Sequence, residues 1–85
     1  MPNWLVKTTG LKHLDLSGNK LTVIEKDVFP QSIAALILNN NKINSIDLSN
    51  LLYLRELNLN NNKLTKIDFS YNNNLKKLEI NNNQL

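Results

Sequence analysis

The sequence has one histidine, His13, which stands two residues before Asp15 and four before Ser17. A histidine, a carboxylate and a hydroxyl are the raw material of nucleophilic catalysis. Here no serine or cysteine sits at a nucleophile elbow, and Ser17-Gly18 reads as the place where a strand ends. Asp47 and Asp68 recur 21 residues apart, each two residues before a serine. Stacked carboxylates can hold calcium, but two are too few ligands, and turn hydrogen bonds to Ser49 and Ser70 account for them. There is no cysteine, which leaves no thiolate for a metal site or a disulfide. No glycine-rich loop is present to cradle phosphate. The chain is therefore read as a non-enzyme with no catalytic, cofactor-binding or metal-binding residue.

Charge and polarity suggest binding instead. Lys20, Lys42 and Lys63 recur at near-constant spacing and form a basic row. No aromatic residues interleave with them for base stacking, and the net charge is only +3. Nucleic acid is excluded as a partner on both counts. Asparagine runs at 39–41, 60–62, 72–74 and 81–83 offer amides to a carbohydrate. The simpler reading of Asn40 and Asn61 is a turn that tolerates left-handed backbone.

The elements that carry these residues are set by a repeat. Four segments align without gaps: Leu11 to Leu21, Ile33 to Ile43, Leu54 to Leu64 and Leu75 to Leu85. Each reads apolar-x-x-Leu-x-Leu/Ile-x-x-Asn-x-apolar. The asparagines fall at 19, 41, 62 and 83, spaced by 22, 21 and 21 residues. In each copy the Leu-x-Leu/Ile alternation sends Leu14 and Leu16, Leu36 and Leu38, Leu57 and Leu59, or Leu78 and Ile80 to one side of a short strand. Strands one repeat apart that run the same way pair in parallel. One copy alone buries too little apolar surface to offset the entropy of ordering it, so the copies must stack. Asn19, Asn41, Asn62 and Asn83 carry donor and acceptor on one short side chain. At a fixed register after each strand they form a ladder that satisfies backbone groups leaving the sheet.

This pattern resembles the leucine-rich-repeat family, whose signature is L-x-x-L-x-L-x-x-N-x-L. The resemblance runs from Leu11 to the end and implies an α/β, β-rich solenoid: a right-handed superhelix with a parallel sheet on its concave side. The organisation that follows is an N-terminal partial repeat or cap over 1–10, then repeats over 11–32, 33–53, 54–74 and a truncated 75–85. Leu64-x-x-Ile67-x-Phe69-x-x-Asn72 repeats the signature inside itself. That nesting resembles a 21-residue subclass common in bacterial surface proteins. The resemblance also implies protein recognition, as in innate immunity, adhesion and host–microbe contact.

Framework positions are nearly fixed, while the outward strand residues are chemically mixed, as a scaffold with a contact face would be. The outward residues are Lys12, His13, Asp15 and Ser17; Ala34, Ala35, Ile37 and Asn39; Arg55, Glu56, Asn58 and Asn60; Lys76, Lys77, Glu79 and Asn81. Partner contact is assigned to Lys12, His13, Asp15, Ala35, Ile37, Arg55, Glu56, Asn58, Lys77 and Glu79. Ile37, beside Ala34 and Ala35, is the apolar centre, with Arg55 and Glu56 as its rim.

The second half of each repeat varies. Ile24, Val28 and Phe29 approach helical spacing before Pro30, which predicts one helical turn. Residues 43–49 and 64–70 alternate with period two and predict short back strands. At the ends, Trp4, Leu5 and Val6 are expected to fold over the first repeat. Leu75, Leu78, Ile80 and Leu85 are expected to leave an open edge, either as part of a longer array or available for end-to-end self-association. Length and composition fit one small domain. No apolar run approaches the ~20 residues of a membrane span, and Met1 to Lys7 has no leader-like apolar stretch. The compartment stays open: cell surface or outside if a longer protein supplies a leader, cytoplasm otherwise. Three functions are carried forward: protein recognition, structural assembly and surface-carbohydrate binding.

Overall fold

In a computed structural model the described residues are 4–85. Met1, Pro2 and Asn3, which open the expected cap, lie outside them. The first element is a 3-10 turn, Leu5–Lys7, followed by six strands: β1 His13–Asp15, β2 Val23–Ile24, β3 Ala35–Ile37, β4 Ser45–Ile46, β5 Glu56–Asn58 and β6 Lys77–Glu79. The short 3-10 turn is the sole helical element among the described residues.

The strands form two parallel sheets. One has four strands in the order β1-β3-β5-β6, and the other pairs β2 with β4. Register in the larger sheet is constant: Leu14 sits opposite Leu36, Leu36 opposite Leu57, and Leu57 opposite Leu78. The same rung pattern continues past the strand ends. Leu16, Leu38 and Leu59 donate their N–H groups to the carbonyls of Ile37, Asn58 and Glu79 at 2.8, 2.8 and 2.7 Å.

Register determines the core. Leu36, Leu38, Leu57 and Leu59 are fully buried, together with Ile33, Ile43, Leu54 and Leu64. The outer members of each column are less covered, because each has a neighbour on one side only. Leu14, Leu16, Leu75 and Ile80 are half-buried and Leu78 is 38 % exposed. Leu85 is exposed as well. Before β1, Leu5 is buried against the core, but Trp4 is 66 % exposed. Leu5 thus packs on the core, and Trp4 does not fold over it as expected.

The asparagine ladder is present. Asn62 accepts from the Ile43 N–H at 3.0 Å and donates to the carbonyls of Leu38 and Leu59, each at 3.0 Å. Asn41 accepts from Leu21 and donates to Leu16 and Leu38, while Asn83 accepts from Leu64 and donates to Leu59 and Ile80. Asn19 begins the ladder and donates only within its own turn, to Leu16 and Ser17.

Two expectations about the second half of the repeats need correction. Ile24 ends β2 and residues 26–29 form a turn and bend, not a helical turn. Asp27 takes φ 62°, a left-handed conformation that a right-handed helical turn cannot contain, although Phe29 still reaches the core. The back strands lie in the first and second segments, not the second and third. Val23 pairs with Ser45 and Ile24 with Ile46, whereas 64–70 contains bends and a turn but no strand. Ile67 and Phe69 still pack on the core, so the apolar alternation reports burial there without pairing.

Candidate functional site

Because all four strands run the same way in constant register, their outward residues line up in rows across the sheet. His13, Ala35, Glu56 and Lys77 form one row, and Asp15, Ile37, Asn58 and Glu79 form another. A third row lies just before the strands. Ala34 and Ala35 donate to the Lys12 carbonyl, Arg55 and Glu56 to that of Ala34, and Lys76 and Lys77 to that of Arg55, all between 2.8 and 3.0 Å. Lys12, Ala34, Arg55 and Lys76 are therefore neighbours. The ten residues assigned to partner contact all lie on these three rows.

Charge changes along the strand direction. The row before the strands holds three cations, Lys12, Arg55 and Lys76. The middle row sets Glu56 beside Lys77, and the last row holds the carboxylates Asp15 and Glu79. Asp15 is held below the usual carboxylate range by the Ser17 hydroxyl and by the Ser17 backbone N–H, which donates at 2.9 Å, with a weaker pull from His13. Ala34, Ala35 and Ile37 are half-buried rather than open, which narrows the apolar spot.

A groove of about 520 Å³ opens along the row before the strands. It is lined by Lys12, Ser32, Ala34, Tyr53, Arg55, Asn74 and Lys76. Ser32, Tyr53 and Asn74 were absent from the sequence reading of the site, and Lys76 was noted only as outward. The signal was nevertheless periodic. All three stand immediately before the first apolar residue of their segment, 21 residues apart. Tyr53 is 59 % exposed.

On the back, Asp47 and Asp68 serve their own turns. Ser49 donates to Asp47 through backbone and hydroxyl at 2.9 and 2.6 Å, and Ser70 does the same for Asp68 at 2.8 and 2.6 Å. The serine hydroxyl is the largest cause of the lowered pKa of each carboxyl, and the backbone N–H the next. Among the described residues no group of three or more His, Cys, Asp or Glu is placed to hold a metal ion. No helix among them is long and apolar enough to cross a membrane.

The exposed asparagines are also engaged. Asn40, Asn61 and Asn82 take φ of 59°, 60° and 59°, and Gly18 takes 70° at the matching position. Asn61 donates to Asn40 and Asn82 to Asn61, both at 2.8 Å. This outer amide stack uses hydrogen-bonding capacity that a bound glycan would need.

These rungs, ladders and leucine columns accompany a match to the Leucine Rich Repeat family model over residues 10–36 and 53–72, more than half of the chain. The chain belongs to the leucine-rich-repeat family. A search of curated proteins finds no match. Leucine-rich-repeat domains generally mediate protein–protein interaction and are typically non-enzymatic binding modules. In this leucine-rich-repeat chain the rows on the larger sheet carry unlike residues over a fixed framework of leucines.

Proposed function

We propose that the chain is a protein-recognition module that binds its partner through the outer face of the four-stranded sheet. In this reading the repeats 11–32, 33–53, 54–74 and 75–85 coil as a right-handed solenoid of the nested 21-residue type. The sheet lies on the concave side, and Lys12, His13, Asp15, Ala35, Ile37, Arg55, Glu56, Asn58, Lys77 and Glu79 are the contact set. The carrying observation is the in-register alignment of unlike residues over fully buried, nearly identical leucines. The register makes the rows, and the variety of their side chains over a constant core is what a scaffold with a contact face shows.

The test compares two variants as bait for partner capture from the source organism. Ile37→Arg alters the outer face, and Lys42→Glu alters the edge. The proposal expects a captured protein that is lost with Ile37→Arg and kept with Lys42→Glu. Equal capture by both baits contradicts it.

A second reading, contact between copies of the chain through the β6 edge, is supported by the exposed apolar side chains Leu78 and Leu85. It expects the mass by light scattering to rise with concentration and the rise to vanish in Leu78→Lys. A constant monomer mass removes it.

A further inference from the structure

The row before the strands is a line of like charge. Lys12, Arg55 and Lys76 occupy three of its four rungs, and Ala34 fills the fourth. Neighbouring strands in a sheet are about 4.8 Å apart. Arg55 and Lys76 are thus next to each other, and Lys12 is two rungs from Arg55. Cations that close repel one another, and a like-charged cross-strand pair weakens a sheet. No carboxylate lines the groove. The nearest acid on the sheet is Glu56 in the following row, where Lys77 is its cross-strand neighbour. The groove is thus a concentrated positive site with an exposed aromatic, Tyr53, and a half-buried methyl, Ala34, between its charged ends.

The far end of the same face is acidic, at Asp15 and Glu79. A long polyanion laid along the strands would meet these carboxylates. An anionic ligand is favoured only if it runs across the strands and stays within the first row. Three rungs separate Lys12 from Lys76, about 14 Å. An extended peptide advances about 3.4 Å per residue and shows alternate side chains on one side. Residues four apart in such a peptide therefore span nearly the same 14 Å, and the residue midway faces Ala34 and Tyr53.

We infer that this groove takes an extended acidic peptide segment of the partner, with Asp or Glu at positions i and i+4 and an apolar residue at i+2. Lys12 meets the first carboxylate, Arg55 and Lys76 the second, and Tyr53 with Ala34 the apolar side chain. The inference rests on the protein-recognition reading and names the partner's chemistry. It adds Ala34, Tyr53 and Lys76 to the contact set.

The test uses a fluorescent peptide with Glu, Val and Glu at i, i+2 and i+4, separated by serines, and anisotropy on the full chain. Arg55→Glu with Lys76→Glu is expected to weaken binding about tenfold or more, since each exposed ion pair is lost and replaced by repulsion. Lys42→Glu with Lys63→Glu makes the same change in net charge on the edge row and is expected to leave affinity within about twofold. Moving the second Glu to i+3 is expected to weaken binding. The four residues changed in the double variants are exposed, and thermal midpoints confirm that both double variants fold. Equal loss in the two double variants, indifference to Glu spacing, or tighter binding of single-stranded RNA than of the peptide each overturns the inference. Capture of a partner that needs Ile37 but ignores Arg55→Glu with Lys76→Glu also overturns it, while leaving the recognition reading in place. Capture that survives Ile37→Arg while the peptide still binds overturns the recognition reading alone.

Discussion

Asn62 and Asn72 are both buried at turns of the chain, 7 % and 5 % exposed, one after the larger sheet and one on the back. Asn62 uses both ends of its amide: its oxygen takes the Ile43 N–H and its nitrogen reaches Leu38 and Leu59. Asn72 uses one end. Its nitrogen donates to the carbonyls of Leu48 and Leu51 at 3.1 and 3.0 Å, and its buried oxygen has no partner among the described residues. The difference lies in what stands one repeat away. Asn62 has asparagines at the matching rungs, so its position recurs with the backbone groups it serves. Asn72 matches Leu51 and Pro30, because Leu75, Leu54 and Ile33 donate to their carbonyls in turn, and both of these are buried apolar residues. An amide placed once in an apolar column can silence carbonyls that need a donor, but it finds no N–H for its own oxygen. Repetition lets a buried amide satisfy its oxygen as well as its nitrogen.

Four variants break or sharpen this comparison. Asn62→Ala strips partners from one buried N–H and two buried carbonyls and is expected to cost about 3 kcal/mol by urea unfolding. A cost below about 1 kcal/mol would mean that the ladder is incidental. Asn72→Ala frees two carbonyls but removes an orphaned oxygen, so the expected loss is about 1 kcal/mol, clearly less than at Asn62. Equal losses would erase the distinction. Asn19→Ala touches an exposed residue that bonds only within its own turn, and a loss under about 1 kcal/mol is expected in the same assay. Smallest is the exposed carboxylate set. Asp15, Asp47 and Asp68 are held below their ordinary value of 3.8 by serine hydroxyl and backbone donors. Their folded pKa is depressed, so their contribution is present above 3.8 and lost as pH falls through the depressed values. Replacing all three with Asn is expected to flatten the acid side of a stability-versus-pH curve slightly, with the small loss present at neutral pH and gone below the depressed values. A loss at acid pH as large as at neutral pH would contradict the linkage.

The larger sheet was legible because its signal is redundant. Leu36, Leu38, Leu57 and Leu59 alternate with period two inside a repeat and recur between repeats, and the ladder asparagines fix the register. The back was harder to read, because alternation reports which side is buried and not whether a neighbour pairs. Ile67 and Phe69 alternate as Ile46 and Leu48 do, yet only Ile46 lies in a paired strand. Helical spacing at Ile24, Val28 and Phe29 misled for a related reason: Asp27 in the left-handed region brings Phe29 inward without a helix. The candidate face was read through its strand residues. The groove before the strands was missed because Ser32, Tyr53 and Asn74 differ in chemistry, and only their shared position in the repeat links them.

The account rests on strands stacked so that leucines meet leucines and the residues between them face out. Methyl and amide nuclear Overhauser contacts test this most directly. The prediction is contact between Leu36 and Leu57 methyls, between Leu38 and Leu59 methyls, and between Ala35 and Glu56 on the other face. Contacts shifted by one residue, such as Ala35 with Leu57, would turn each leucine toward the row of charges and contradict both the core and the binding face.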